Sequence, residues 1–233
     1  MMRALLFFIV FSSYLFSSSQ VVFVIANTNK SQKAKLTTYE KINNTYTQNS
    51  KIIDVNIGEN GLAWGRSSLF DLKDYEKDIK KEGDKKAVKG IFKLSWVYGY
   101  SKTIDSEMPY TQSTEDLICV DDINDSNYNK VIKTNNKNKI KSYENMLLSS
   151  ETYEYVIKVE HNTKREKSLG SCIFIHVENP KKHQTSGCTS LKRNDLKKLL
   201  SWLDIKKEPI LIQVDKVSCQ SIKSSYPFLD CNL

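Results

Sequence analysis

Short runs of β-branched and other apolar residues, separated by polar loops, constrain the fold of this 233-residue chain most strongly. The clearest runs are VVFVIA within residues 20–28, SCIFIHV at 171–177 and PILIQV at 209–214. Runs of this length and composition are typical of buried strands. Further strands are predicted at 34–40, 51–57, 90–94, 96–98 and 153–160. The sequence therefore predicts one domain that is mostly β.

A single amphipathic helix is predicted late in the chain, at residues 194–204. Its apolar residues have the spacing of one helix face: Leu196, Leu199, Leu200 and Leu203. Asn194 is expected to cap this helix, with Asp195 at its positive end. Residues 58–68 and 101–138 are predicted loops, and residues 69–84 a solvated surface segment. A loop as long as 101–138 is uncommon unless it lines a site.

The chain is basic, with 35 Lys and Arg against 27 Asp and Glu, a net charge of +8 and a pI near 9.1. Such a balance permits nucleic acid, an anionic membrane or an acidic polymer as partner. The charges are spread along the chain and not gathered into a tail, so we expect a soluble monomer with no nucleic-acid partner. The low counts of Gly (8) and Pro (4) exclude collagen-like and Pro-rich architectures.

The first residues have the features of an export signal. Arg3 gives a short positive region, residues 4–16 are apolar, and residues 17–19 are small serines suited to cleavage. Cleavage after Ser19 would divide the chain into a leader at 1–19 and a domain at 20–233. Cleavage after Ala26 and an uncleaved membrane anchor are the alternatives, because the apolar character continues to Ala26. The sequence thus predicts an exported protein.

The five cysteines indicate one unpaired thiol in an exported chain, since their number is odd. They stand at 119, 172, 188, 219 and 231, with no Cys-x-x-Cys spacing that would suggest zinc. Cys219 and Cys231 are close enough in sequence to form a bridge. Burial of all but one as small apolar residues is the alternative. On the predicted strand, Cys172 and His176 would share a face.

His176 and Cys188 form the strongest candidate for chemistry. His176 ends an apolar strand, and Cys188 lies in the small-residue turn Thr-Ser-Gly-Cys that precedes the helix. A cysteine nucleophile needs a base within hydrogen-bonding reach and backbone N–H groups to hold an oxyanion. Gly187 permits a sharp turn, so the N–H groups of Gly187 and Cys188 could form that oxyanion hole. A core histidine and a buried cysteine are the alternative.

The segment GSCIFIHVENPKKHQTSGCTSL at 170–191 resembles the signature of the L,D-transpeptidases of the bacterial cell wall, the YkuD-like family. That signature is a His on a strand, then a loop, then Ser/Thr-His-Gly-Cys. Other segments resemble the family in the same order along the chain: GLAWGR at 61–66, KEGD at 81–84, GIF at 90–92, MPY at 108–110, CVDD at 119–122, VEHN at 159–162 and LSWLD at 200–204. The resemblance implies a mostly β, sandwich- or barrel-like catalytic domain with one or more helices.

The resemblance also implies a reaction. Cys188 would attack a peptidoglycan tetrapeptide stem, D-Ala would leave, and His176 would act as base and then acid. The partners would be stem peptides, or a wall-anchored protein as acyl acceptor, in the periplasm of a bacterium. Water as acceptor would instead make the enzyme an L,D-carboxypeptidase. No metal and no organic cofactor is implied.

Four further residues are weaker candidates for substrate binding: Ser186, Ser190, His161 and Tyr110. Ser186 replaces the His that usually precedes Gly-Cys in the family, and Ser190 stands where many members have Asn or Arg. His161 could line the cleft or make structural hydrogen bonds, and Tyr110 could instead pack in the core. His183 is expected to be a solvated surface residue.

The rival classes are a cysteine peptidase of another fold and a non-catalytic wall-binding protein. Papain-like enzymes place Cys before His, whereas His176 comes first here. Sortase-like enzymes need a longer gap and a downstream Arg, and Arg193 at a predicted helix start fits this poorly. The presence of both His176 and Cys188 argues against a protein that only binds.

Overall fold

The computed structural model describes residues 18–69 and 78–233. Residues 1–17 of the predicted leader therefore lie outside the described residues, as do residues 70–77 of the predicted surface segment. The strands are β1 (Gln20–Ala26), β2 (Lys33–Ile42), β3 (Thr45–Gln48), β4 (Ile53–Asn56), β5 (Leu62–Trp64), β6 (Ala87–Gly99), β7 (Tyr110–Gln112), β8 (Leu117–Val120), β9 (Val131–Lys133), β10 (Tyr143–Asn145), β11 (Tyr155–Val159), β12 (Phe174–Val177), β13 (Thr189–Leu191) and β14 (Ile210–Asp215). The helices are α1 (Arg193–Trp202) and α2 (Lys216–Ile222), with single 3-10 turns at Lys137–Lys139, Glu151–Tyr153 and Ile205–Lys207.

The main sheet closes on itself. Its order is β1-β14-β6-β11-β12-β13-β4-β2, and β2 pairs back onto β1. Most pairs are antiparallel, while β1–β14 and β12–β13 are parallel. β3 extends the sheet from β2, and β5 and β7 pair with β6. The predicted mostly β, barrel-like fold is confirmed.

β1 is buried on both faces, which explains its continuous apolar sequence. Val22 and Val24 belong to the main core, together with the leucines of α1. Phe23 and Ile25, on the other face, pack in a second cluster with residues of α2. Each buried side chain of this size contributes about 1.5–3 kcal/mol relative to exposure. The first strand is therefore central to the packing.

Helix α1 lies where the leucine spacing predicts a helix, but its ends differ. Leu196, Leu199 and Leu200 are buried as expected. The expectation that Asn194 caps the helix is wrong, because the helix begins at Arg193 and Lys192 occupies the capping position without a side-chain bond. Asp195 lies in the first turn, as expected.

The predicted loop at 101–138 contains strands β7, β8 and β9, so this part of the prediction is wrong. β8 pairs with β9 and β10 to form a separate three-stranded sheet. All four residues of β8 are buried, but a run of four apolar residues between polar segments gives a weak strand signal. The predicted loop at 58–68 likewise contains the short buried strand β5.

Two disulfides account for four of the five cysteines. Cys219–Cys231, the bridge proposed from sequence, connects α2 to the C-terminal segment. Cys119–Cys172 connects β8 of the small sheet to the segment before β12. Cys172 has a left-handed backbone (φ +54°) and precedes β12, so the expectation that it shares a strand face with His176 is wrong.

Within residues 18–69 and 78–233, no helix is long and apolar enough to cross a membrane.

Candidate active site

A cleft of about 450 Å³ lies between the main sheet and the small sheet. Its lining combines three groups of residues: His176, Ser186, Gly187, Cys188 and Ser190 from the predicted motif; Asp121, Glu144 and Tyr153 from the small sheet and its neighbouring turn; and Lys80 and Glu82 from the segment before β6. The fold therefore brings the predicted His and Cys into one cavity. It adds charged residues that are distant in sequence.

His176 is held on β12 between two strands, opposite Val156 of β11 and Ser190 of β13. Its Nδ1 lies 2.8 Å from the carbonyl oxygen of Val177. Because a carbonyl only accepts, Nδ1 carries the proton and donates it, and Nε2 keeps its lone pair. Burial lowers the pKa of His176 to about 4. At neutral pH the ring is a neutral base of fixed tautomer.

Cys188 carries the one unpaired thiol, since all five cysteines lie within the described residues. The residue is 8% exposed. Its Sγ accepts a hydrogen bond from the Phe174 amide at 3.3 Å and lies 3.6 Å from the Cys172 carbonyl oxygen, to which it donates. Burial raises the pKa of the thiol to about 12, although the Phe174 amide acts in the opposite direction. The resting pair is thus a neutral thiol and a neutral imidazole.

The turn before Cys188 is closed by the Thr185 hydroxyl. This hydroxyl donates to the Cys188 carbonyl oxygen at 2.6 Å and accepts from the Gly187 amide at 3.2 Å. Gly187 has φ +145°, and a Cβ there would lie 3.1 Å from the Lys86 carbonyl oxygen, so the turn requires glycine. The Gly187 amide, one of the two donors predicted for an oxyanion hole, therefore bonds within the turn. The Cys188 amide donates no hydrogen bond to any described residue.

Ser186 and Ser190 both line the cleft, but in different surroundings. Ser186 is exposed at its rim. Ser190 is 1% exposed, and its Oγ has no hydrogen-bond partner among residues 18–69 and 78–233. It lies beside His176 in the register of β12 and β13. A buried hydroxyl without a partner is unusual, and Ser190 therefore keeps hydrogen-bonding capacity within the cleft.

His161 and Tyr110 lie outside this cleft. Nδ1 of His161 accepts from the Arg66 amide at 3.1 Å, and Nε2 donates to the Leu169 carbonyl oxygen at 2.8 Å. Both ring nitrogens are thus used within the fold, which favours the structural role left open above. Tyr110 packs against the main core, and its hydroxyl donates to the Ser101 carbonyl oxygen. Neither residue is placed to contact a ligand beside Cys188.

Lys80 contradicts the prediction of a solvated segment at 69–84. It is 3% exposed, and its ammonium contacts Asp84 and the Lys81 carbonyl oxygen. A Cβ added at Gly187 would lie 3.6 Å from Nζ, so the ammonium is next to the turn that precedes Cys188. Its charge favours the Cys188 thiolate, although burial of the thiol outweighs it. Because the segment is highly charged and Lys80 stands among other charged residues, its sequence could not identify the buried lysine.

Glu144 and Tyr153 are the other cleft residues that sequence reasoning missed. The Tyr153 hydroxyl donates to Glu144 Oε2 at 2.7 Å. The Tyr153 ring meets the His176 ring edge to face, with centroids 5.3 Å apart. Burial raises the pKa of Glu144 to about 7, and the carboxylates of Asp121 and Glu82 add to this effect. Neither residue belongs to a motif, so no sequence signal pointed to the pair.

A buried thiol, a neutral imidazole oriented by a backbone carbonyl, and a backbone amide without a partner among the described residues are the kinds of group that acyl transfer through a cysteine requires. The comparison with known families agrees, because the YkuD family, described as the L,D-transpeptidase catalytic domain, matches residues 22–212. The chain belongs to this family of cysteine-dependent enzymes, which act on peptidoglycan stem peptides. No curated protein and no solved structure matches the chain significantly.

The Cys119–Cys172 disulfide is expected to hold the cleft together as well as to stabilise the fold. It closes a span of 53 residues, whereas Cys219–Cys231 closes 12. Replacing both cysteines of the first pair by serine should cost about 4 kcal/mol of unfolding free energy, against about 3 kcal/mol for the second pair. Only the first replacement should also slow acylation of Cys188, because the Cys172 carbonyl contacts its thiol. Urea unfolding and acylation rates of both double variants check this; equal acylation rates would contradict it.

Proposed function

We propose that the protein is a peptidoglycan L,D-transpeptidase that acts on tetrapeptide stems through a thioester at Cys188. One observation carries the proposal. The only unpaired cysteine of the chain lies in a cleft with a histidine whose tautomer leaves Nε2 as a base. The family match supports the reaction class.

In the acylation half, Cys188 Sγ attacks the carbonyl carbon of the diamino acid at position three of the stem. The thiol proton passes to Nε2 of His176, the carbonyl oxygen becomes an oxyanion, and the C–N bond to D-Ala breaks. His176 then gives its proton to the leaving amine. Since the resting thiol and imidazole are neutral, proton transfer accompanies the attack instead of preceding it.

The oxyanion would be bound by backbone N–H groups of the catalytic turn. The Cys188 amide is free to donate. The Gly187 amide can join it only after releasing the Thr185 hydroxyl, which keeps its bond to the Cys188 carbonyl. Each such donor contributes about 3–4 kcal/mol to transition-state stabilisation in comparable sites.

In the second half, an amine of another stem, or of a wall-anchored protein, attacks the thioester and forms a cross-link. Attack by water would instead give a tripeptide stem and make the enzyme an L,D-carboxypeptidase. Acylation is the same in both cases. The acceptor is therefore the point on which the two reactions differ.

Product analysis separates these outcomes. Digested wall material with tetrapeptide stems is incubated with the purified protein, and the products are identified by mass. We expect D-Ala release together with dimers that are cross-linked between two position-three residues. Tripeptides without dimers at high acceptor concentration would replace the transpeptidase proposal with the carboxypeptidase. Absence of both products would leave a protein that binds the wall without acting on it.

The proposed location is the periplasm of a bacterium, after export. Residues 1–19 have the composition of a leader. Burial of all of β1 argues against cleavage after Ala26, because that cut would remove a strand that pairs on both sides. Amino-terminal sequencing of the exported protein tests cleavage after Ser19, and a mature chain that begins after Ala26 would overturn it.

A further inference from the structure

One wall of the cleft carries three carboxylates that acylation does not use: Glu82, Asp121 and Glu144. Glu82 accepts hydrogen bonds from the Tyr128 and Ser171 hydroxyls. Oδ1 of Asp121 is buried and has no hydrogen-bond partner among the described residues. Those residues also contain no group of three or more His, Cys, Asp or Glu that could hold a metal ion. Lys80 and Lys85 of the same lining pair with Asp84 and Glu59, so these three carboxylates remain available to a cationic group.

Glu144 is the carboxylate most directly connected to the catalytic pair. Tyr153 donates to it at 2.7 Å, and the same Tyr153 ring lies against His176. A second connection runs through the backbone, because Glu144 pairs with Cys119, whose disulfide partner Cys172 contacts Sγ of Cys188. Two independent connections thus fix the carboxylate relative to the nucleophile.

Ser190 indicates separately that the cleft is built to hold a polar ligand. Its hydroxyl is buried, has no partner among the described residues, and lies in the cleft beside His176. The carboxylates and this hydroxyl come from different elements of the fold. The carboxylates and the Ser190 hydroxyl can therefore still form hydrogen bonds with a ligand in the cavity.

Attack of the acceptor amine on the thioester needs a second proton-accepting group, which acylation does not need. An amine of the lysine type has a pKa of about 10.4 and reaches the enzyme as an ammonium ion. It must lose one proton to become a nucleophile and a second as the amide forms. His176 can carry only one of these, which it passes to the departing sulfur. The other needs a second base.

We propose that Glu144 binds the ammonium group of the acyl acceptor and takes its first proton, with Tyr153 as the positioning residue. This inference rests on the proposed function. The carboxylate becomes a carboxylic acid, and the free amine attacks the thioester carbonyl. The C–N bond forms, the C–S bond breaks, the second proton passes through His176 to Sγ of Cys188, and Glu144 returns its proton to water.

The electrostatic surroundings of Glu144 support this role. Burial raises its pKa to about 7, with Asp121 and Glu82 contributing in the same direction and the Tyr153 hydroxyl opposing it. A base with a pKa near the working pH is the most effective at proton transfer. Asp121 and Glu82 provide the negative charge that attracts the ammonium.

Separate measurement of the two half-reactions tests the proposal on Glu144→Gln, which keeps the size of the side chain and an oxygen for Tyr153. The acyl-enzyme is formed with a tetrapeptide stem and followed by intact mass, and its decay is measured with a lysine-type amine or with hydroxylamine. Hydroxylamine is largely unprotonated at neutral pH and needs no base for its first proton. Glu151→Gln, an exposed carboxylate outside the cleft, is the matched control.

We expect Glu144→Gln to form the acyl-enzyme, which also demonstrates that the variant is folded. Its decay with the lysine-type amine should fall about 10²-fold, while its decay with hydroxylamine should match wild type. Tyr153→Phe should move the pH profile of aminolysis to higher pH, because the hydrogen bond from Tyr153 lowers the pKa of Glu144 and its loss raises that pKa. Equal effects on both amines, or no effect on either, would overturn the role of Glu144. A wild-type protein that forms no acyl-enzyme would overturn the proposed function itself.

Discussion

Cys188→Ala should abolish formation of the acyl-enzyme and all turnover of tetrapeptide stems. The chain contains no other unpaired cysteine, so no neighbouring thiol can replace the nucleophile. Loss of a covalent nucleophile removes the thioester pathway entirely. Release of D-Ala, measured with excess stem peptide, should fall to the rate without enzyme. Substantial residual release would show that Cys188 is not the nucleophile.

Stability measurements separate this effect from misfolding. The substitution removes one buried sulfur and leaves the Phe174 amide without its acceptor, at a cost of about 1 kcal/mol. The total loss of unfolding free energy should stay below ~2 kcal/mol. Thiol titration of the unfolded, unreduced chain should find one reactive group in wild type and none in the variant. A larger loss of stability would mean that Cys188 mainly serves packing.

His176→Gln should lower the rate of acylation by about 10²–10⁴-fold, the usual contribution of a general base. The amide cannot take the thiol proton, and burial holds that proton firmly by raising the pKa of Cys188 to about 12. His183→Ala is the matched control, because His183 is exposed and is not part of the cleft lining. Acylation at the wild-type rate in His176→Gln would assign the base to another group.

The pH dependence of acylation in wild type gives an independent test of the same residue. The lowered pKa of His176, about 4, means that its ring stays neutral until the solution is strongly acidic. The rate should therefore remain flat between about pH 5 and pH 9 and fall as the pH approaches 4 from above, where the base becomes protonated. An inflection near the ordinary histidine pKa of about 6.5 would contradict a buried neutral base.

Seven of the eight strands of the closed sheet could be predicted because each is a continuous or alternating apolar run, whereas β13 is only the three residues Thr-Ser-Leu and gives no such signal. β1, β12 and β14 are buried, and at least half of the residues in each are β-branched. The small sheet escaped prediction since β8, β9 and β10 are only three or four residues long and lie among polar residues. Their stability comes from tertiary contacts and the Cys119–Cys172 bridge, which no local pattern contains.

The candidate site likewise combines residues that a local sequence pattern marks with residues that only the folded structure brings together. His176 and Cys188, which the fold places in one cleft, could be proposed from sequence because they lie in one continuous motif. Glu144, Tyr153 and Lys80 come from three separate segments, and each reads as an ordinary polar residue where it stands. These three residues lie close together only because of the arrangement of the small sheet relative to the main sheet. The spacing of residues along the chain does not encode that arrangement.

The closed order of strands also determines when the chain can reach its final form. β1 lies between β2 and β14, so one neighbour of the first strand is supplied only when residues 210–215 have been synthesised. At ribosomal rates this takes on the order of tens of seconds, and pairing at such long separation is itself slow. The closed sheet therefore cannot form before residues 210–215 have been synthesised. If the protein is exported as proposed, its unclosed chain can pass through a narrow translocation pore before β1 and β14 pair.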